Sequence, residues 1–102
     1  MTANLTEKEF SNHVGTTFQT KLDHRDVALQ LAEVKGYLAK ENEQAGLERF
    51  SVFFDGPGDV RLPQQIYKLH HEKMGELDLF LVPVSGNEKG FRYEAVFNYY
   101  RE

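Results

Sequence analysis

The chain contains no cysteine, and this absence excludes a whole set of chemistries. Disulfides, thiolate metal sites, iron–sulfur clusters and cysteine nucleophiles all require a thiol. Small secreted domains often depend on disulfides for their stability. We therefore expect a cysteine-free domain of this size to work in a reducing compartment, and the cytoplasm is the predicted location.

Long apolar runs and clustered positive charge are also lacking. No apolar stretch approaches the roughly 20 residues that a membrane-spanning helix needs, and residues 1–8 have neither the basic nor the apolar region of a signal peptide. The net charge is −4, and Lys and Arg are scattered along the chain. A phosphate backbone therefore finds no basic stripe to bind. We expect neither a membrane nor a nucleic-acid partner.

The residues that are present suffice for one folded core. Of the 102 residues, 40% are apolar and 13% are aromatic, which is too hydrophobic a composition for a disordered chain. The length matches a single domain. Residues 1–102 are therefore predicted to form one β-rich domain.

Residues 6–14 are predicted to form a short helix. Thr6 followed by Glu9 is a capping-box pattern. Phe10 and Val14 lie four residues apart and share a helical face, and Gly15 is a natural residue at which to end the helix.

After Gly15 the apolar period changes from helical to two, which is typical of strands. Strands are predicted at 16–22, 27–38, 49–55, 65–71, 76–84 and 91–99, with a charged loop at 39–48. Because no crossover helices separate these strands, their connection is antiparallel. The predicted fold is mainly β, a small antiparallel barrel or compact sandwich of about six strands with one short N-terminal helix.

Alternate positions of these strands form two unequal faces. One set is almost entirely apolar and is the predicted core, while the other mixes polar residues with large apolar ones. We predict that the helix covers part of this second face through Phe10 and Val14, and that a protein partner or a weak homo-oligomer covers the rest. The candidate interaction surface consists of Phe53, Phe80, Val82, Val96, Arg92 and Glu94.

The last two strands are predicted to pair so that Leu79 faces Ala95 and Phe80 faces Glu94. This register places both apolar sets on one side of the hairpin. A slip of one residue would mix the two faces.

Candidate catalytic and ligand-binding motifs are weak. His70 and His71 are neighbours on a strand and point to opposite sides, and a metal site needs three or four ligands. Gly56-Pro57-Gly58 lacks the Lys-Ser/Thr of a phosphate loop, and Asp55 is expected to cap the turn that follows it. No catalytic residue, cofactor or metal site is predicted, so the chain is not expected to be an enzyme.

An ordered string of short motifs runs through the chain. Its parts are Gly56-Pro57, Leu62-Pro63-Gln64, Leu79-Phe80-Leu81-Val82-Pro83-Val84 and Tyr93-Glu94-Ala95-Val96-Phe97-Asn98. From about Leu5 to Asn98, the chain resembles a family of small stand-alone bacterial domains of unknown function. The resemblance implies no particular activity.

These observations favour a non-enzymatic protein-interaction or assembly module. Two alternatives stay open on the sequence. One is a small-molecule-binding β-barrel, although six strands leave little interior space once Phe and Leu fill it. The other is an enzyme of a type that the motifs do not reveal.

Overall fold

The structure is a computed structural model that describes residues 5–36 and 47–100. The elements in chain order are α1 (Glu7–Ser11), β1 (Thr17–Leu22), β2 (Arg25–Gly36), β3 (Leu47–Pro57), β4 (Gln65–His71), β5 (Gly75–Asn87) and β6 (Gly90–Tyr100). The strands close into an antiparallel barrel in the order β1-β2-β3-β6-β5-β4. The predicted mainly β fold is confirmed, and of the two predicted architectures the barrel is the one that forms.

The predicted end of the helix and the predicted start of the third strand need correction. The helix starts as expected, because the Thr6 side chain accepts a hydrogen bond from the Glu9 N–H at 3.1 Å. It ends at Ser11 with Asn12 as its C-cap, since Asn bonds readily to nearby backbone and favours helix ends. β3 already begins at Leu47, which the charged loop was expected to include. Residues 37–46, which hold the rest of that loop and the predicted end of the second strand, lie outside the described residues.

A tight turn joins β1 to β2, and a bulge interrupts the pairing of β2 with β3. Asp23 and His24 have φ values of 51° and 70°, which is the pair of positive angles that a tight two-residue hairpin turn needs. Further along β2, the pairing with β3 shifts between Leu31 and Glu33. Because this bulge adds one residue to β2, Val34 instead of Glu33 points inward and packs against the core.

The register of the last hairpin differs from the prediction. Glu94 faces Val82, and Phe80 does not face Glu94. The reason is that β5 continues to Asn87 through what was expected to be a loop, and only Glu88 and Lys89 form the turn. The partner of Glu94 is thus two residues further along β5 than predicted. Because a strand has a period of two, this difference leaves the apolar residues of both strands on the same side of the sheet.

The barrel interior is filled by large apolar side chains. Phe18 and Phe54 meet edge to face with ring centroids 5.2 Å apart. The Tyr93 hydroxyl, inside the barrel, accepts a hydrogen bond from the Leu62 N–H at 2.8 Å. The largest fully buried side chains are Tyr93, Phe10, Phe18, Phe50, Phe54, Leu29, Leu31, Leu62, Leu69, Leu81, Val27 and Val52.

The helix closes one end of the barrel and does not cover its outer face. The Phe10 ring is completely buried, with its centroid 6.0 Å from Phe50 and 5.4 Å from Phe97. Val14 is 46% exposed. The predicted role of the helix as a cover for the second face is therefore wrong. Inward-facing Phe50 and Phe97 stack at the end of the barrel and offer Phe10 a drier site than the outer surface does.

Candidate functional site

The outer wall formed by β3, β6, β5 and β4 carries the exposed apolar side chains. Ile66 is 67% exposed, Val96 is 65% exposed and Phe80 is 49% exposed. Each lies on the strand positions that point away from the core, as the period of two requires. Phe53 and Val82 lie on the same face and are half-buried. We call this set, together with Val84, the outer patch.

The strand register places the members of the outer patch side by side. Ile66 lies directly opposite Phe80 across β4 and β5. Glu94 lies between Phe53 on one side and Val82 on the other. Val96, two residues along β6 from Glu94, is a diagonal neighbour of Val82 and within reach of its side chain.

The bulge in β5 adds an apolar side chain that the candidate surface did not include. Pairing with β6 shifts between Pro83 and Ser85, and Val84 in the bulge is 46% exposed. A proline cannot donate to the ladder, so a bulge at Pro83 agrees with its place in the strand. Ile66 had the outward parity in the sequence, but only the pairing with Phe80 places it in the patch.

A charged cluster borders the outer patch. The Arg92 side chain donates to both carboxylate oxygens of Asp55, at 2.8 and 3.3 Å, and lies 3.4 Å from Glu33. The Asp55 hydrogen bond raises the pKa of Arg92 above its usual value, so this guanidinium stays charged. The central carbon of the guanidinium, Cζ, lies 6.0 Å from the centre of the Phe53 ring. Asp55 therefore orients Arg92 and does not act as the turn cap that was predicted.

Glu94 is held in the middle of the face. The hydroxyl of the buried Ser51 donates to its carboxylate at 2.5 Å. Because β3 and β6 bring Ser51 opposite Val96, the side chain of Ser51 reaches the carboxylate two residues away. The predicted surface residues Arg92 and Glu94 thus both lie beside the apolar residues, each anchored by a side chain from β3.

Two clefts lie outside the barrel and share Asp55 and Gly56. Their volumes are about 290 and 340 Å³, near the lower limit for small-molecule sites. Two of the polar side chains that line the first cleft are already bonded to other parts of the barrel wall. Arg92 is bound to Asp55, and the Asn87 side chain accepts hydrogen bonds from the backbone N–H groups of Lys89 and Gly90.

The two neighbouring histidines separate as the strand geometry requires. His70 points outward and lies 3.3 Å from Glu76, whereas His71 is buried at the end of β4. Within residues 5–36 and 47–100, no group of three His, Asp or Glu side chains is arranged to hold a metal ion. The one described helix is too short to cross a membrane.

Comparison with known proteins assigns the chain to a family without assigning an activity. No curated protein and no solved structure matches it. A family model described as a domain of unknown function, DUF6916, matches residues 5–97, in agreement with the resemblance seen in the sequence. Because the match extends from the start of the described chain through most of β6, the chain belongs to the DUF6916 family of domains of unknown function.

Proposed function

We propose that this domain is a protein-interaction module that binds a partner protein through the outer patch. The observation that carries the proposal is the exposure of Ile66, Phe80 and Val96 on one wall of the barrel, while the helix is occupied at the barrel end. Neighbouring exposed apolar side chains on a small domain mark interaction surfaces. An apolar centre with charged neighbours is also the usual composition of a protein interface.

The exposed area of the outer patch is large enough to contribute to binding. Full burial of a Val or Phe side chain is worth about 1.5–3 kcal/mol. Because Phe80 is about half exposed and Val96 about two thirds exposed, a partner that covers them gains roughly 1 kcal/mol from each. Removing the patch from water by covering it with a partner therefore supports binding of moderate affinity without any rearrangement of the barrel.

The charges beside the patch favour a different protein over a second copy of this chain. Glu33, Asp55 and Glu94 border the apolar residues on the side of β2, β3 and β6, and the Arg92 side chain is paired with two of these carboxylates, those of Glu33 and Asp55. Two copies meeting through this face would bring their acidic borders together, which opposes association. The partner that fits is a protein segment with an apolar centre flanked by Lys or Arg.

The packed interior supports this function over binding of a small molecule inside the barrel. Aromatic and aliphatic side chains from all six strands are buried there, and six strands enclose little space to begin with. The clefts near Asp55 lie outside the barrel.

A peptide-display selection tests the proposal with the chain as it exists. The wild-type domain is the bait, and selected peptides are mapped onto it by amide chemical shifts. We expect enrichment of apolar peptides that contain Lys or Arg, and shifts centred on Phe80 and Val96. Phe80→Asp is expected to abolish binding because it places a charge in the apolar centre. The matched control is Gln19→Asp, an exposed position on β1 across the barrel, which is expected to bind like the wild type.

Three results would contradict the proposal. One is a selection that yields no peptide whose binding depends on Phe80. Another is a set of peptides that maps to the cleft beside Asp55. The third is a concentration-dependent dimer in sedimentation velocity that Phe80→Asp abolishes, because the occupant of the face would then be a second copy.

A further inference from the structure

His71 joins the N-terminal segment to the turn between β4 and β5. Its Nδ1 atom accepts hydrogen bonds from the backbone N–H groups of Lys73 and Met74, both at 3.0 Å. Its Nε2 atom lies 2.9 Å from the hydroxyl oxygen of Thr16. Thr16 in turn donates to the carbonyl oxygen of His13 at 2.6 Å.

These contacts define the protonation state of the ring. Because Nδ1 accepts two N–H groups, it carries no proton, and the single proton of the neutral ring is on Nε2. That proton is donated to Thr16, whose own proton is already donated to His13. A second proton on His71 would have to sit on Nδ1, where it would face two backbone donors and remove the acceptor to which both are bonded.

The surroundings of His71 also oppose a positive charge. Its ring is packed on Phe18 with centroids 4.2 Å apart, and the His13 ring lies 4.7 Å away. Burial first, and the neighbouring His13 second, lower the pKa of His71 below its usual value. The charged or titratable groups around it are His13 with its neighbour Glu9 from the N-terminal segment, and Glu72 and Lys73 from the turn.

We propose that His71 is an acid-sensitive latch that holds residues 13–16 against the β4–β5 turn. Protonation removes the acceptor for Lys73 and Met74, and the turn separates from the N-terminal segment. Separation exposes Phe18 and Met74, which are otherwise buried. The latch therefore links acidification to the appearance of apolar surface at one end of the barrel, away from the outer patch. It does not depend on the function proposed for that patch.

The direction of the pH effect follows from the lowered pKa. In the unfolded chain His71 titrates near its ordinary value of about 6.5, and in the folded chain it titrates lower. Its neutral state therefore contributes full stability above about pH 6.5, and this contribution is lost as the pH falls towards the folded pKa.

An NMR titration of the full chain from pH 8 to pH 4.5 tests the latch. We expect the His71 ring and the amide protons of Lys73 and Met74 to shift together, in one transition with an apparent pKa below 6.5. His71→Asn keeps an acceptor at the position of Nδ1 but does not titrate. In this variant the Lys73 and Met74 amides are expected to stay unmoved over the same range.

The control His13→Gln removes one source of positive charge near the ring. It is expected to keep the transition and move it to higher pH. The proposal is overturned if His71 titrates at or above 6.5 while the two amides do not move, or if His71→Asn retains the wild-type transition. Should His71→Asn fail to fold, the wild-type titration alone decides, because it follows both the ring and its two donors.

Discussion

Removing the Phe10 ring measures how much the helix contributes to the free energy of unfolding by closing the end of the barrel. Phe10 is fully buried, and its ring lies 6.0 Å from Phe50 and 5.4 Å from Phe97. Truncating a buried Phe to Ala costs about 3–5 kcal/mol through lost burial and the cavity that remains. A domain of this size is stable by about 5–15 kcal/mol, so the Phe10→Ala variant is expected to lose between a fifth and nearly all of its stability.

Urea unfolding followed by circular dichroism gives the change directly. With a denaturant dependence of about 1–3 kcal/mol per molar urea, a loss of this size lowers the midpoint by on the order of 2 M. The matched control is Val14→Ala, at the position that the sequence assigned to the same helical face. Because Val14 is 46% exposed, its truncation is expected to cost less than about 0.5 kcal/mol.

Equal losses for Phe10→Ala and Val14→Ala would refute the location of the helix. So would a loss below about 1 kcal/mol for Phe10→Ala, because a fully buried Phe cannot be that cheap to remove. If Phe10→Ala does not fold at all, Phe10→Leu fills part of the cavity and is expected to give a smaller, measurable loss of about 1–2 kcal/mol.

Two further predictions concern the last hairpin and metal ions. A Cβ atom on Gly86 would collide with the Phe91 ring that packs across it. Gly86→Ala is therefore expected to lower the free energy of unfolding by about 1–3 kcal/mol, which a lower urea midpoint would show. An unchanged midpoint would show that the ring does not pack there. Zinc is expected to leave the melting temperature unchanged in a thermal-shift assay, since a bound ion would raise it by mass action; an increase that His70→Ala abolishes would contradict this.

The faces of the strands follow from the sequence alone. Leu77, Leu79 and Leu81 recur at every second position of β5, and this period predicts which side of the strand is buried, because successive strand residues point to opposite sides. The error of two residues in the last hairpin did not disturb these faces. Turn chemistry at Asn87, whose side chain holds the turn, set the register, and the sequence did not reveal where that turn begins.

The composition of the candidate surface was also predictable, since Phe53, Phe80, Val82 and Val96 have the outward parity. Its extent was not. Ile66 joins the patch through pairing between β4 and β5, and Val84 joins through a bulge. Asp55 meets Arg92 because β3 and β6 are neighbours in the barrel, although 37 residues separate them in sequence.

The sequence by itself determined one β-rich chain, its short capped helix, and the inward and outward sides of its strands, because each of these depends on residues a few positions apart. Tertiary structure alone decided that the barrel closes, that Phe10 fills its end, and that His71 meets Thr16 across 55 residues. Strand order and barrel closure bring together residues far apart in the chain, and no local pattern encodes which distant strand becomes a neighbour. Within the described residues, the helix leaves the outer patch exposed for a physical reason: it gains more by burying Phe10 against the stacked rings of Phe50 and Phe97 than by lying on a face already bordered by charges.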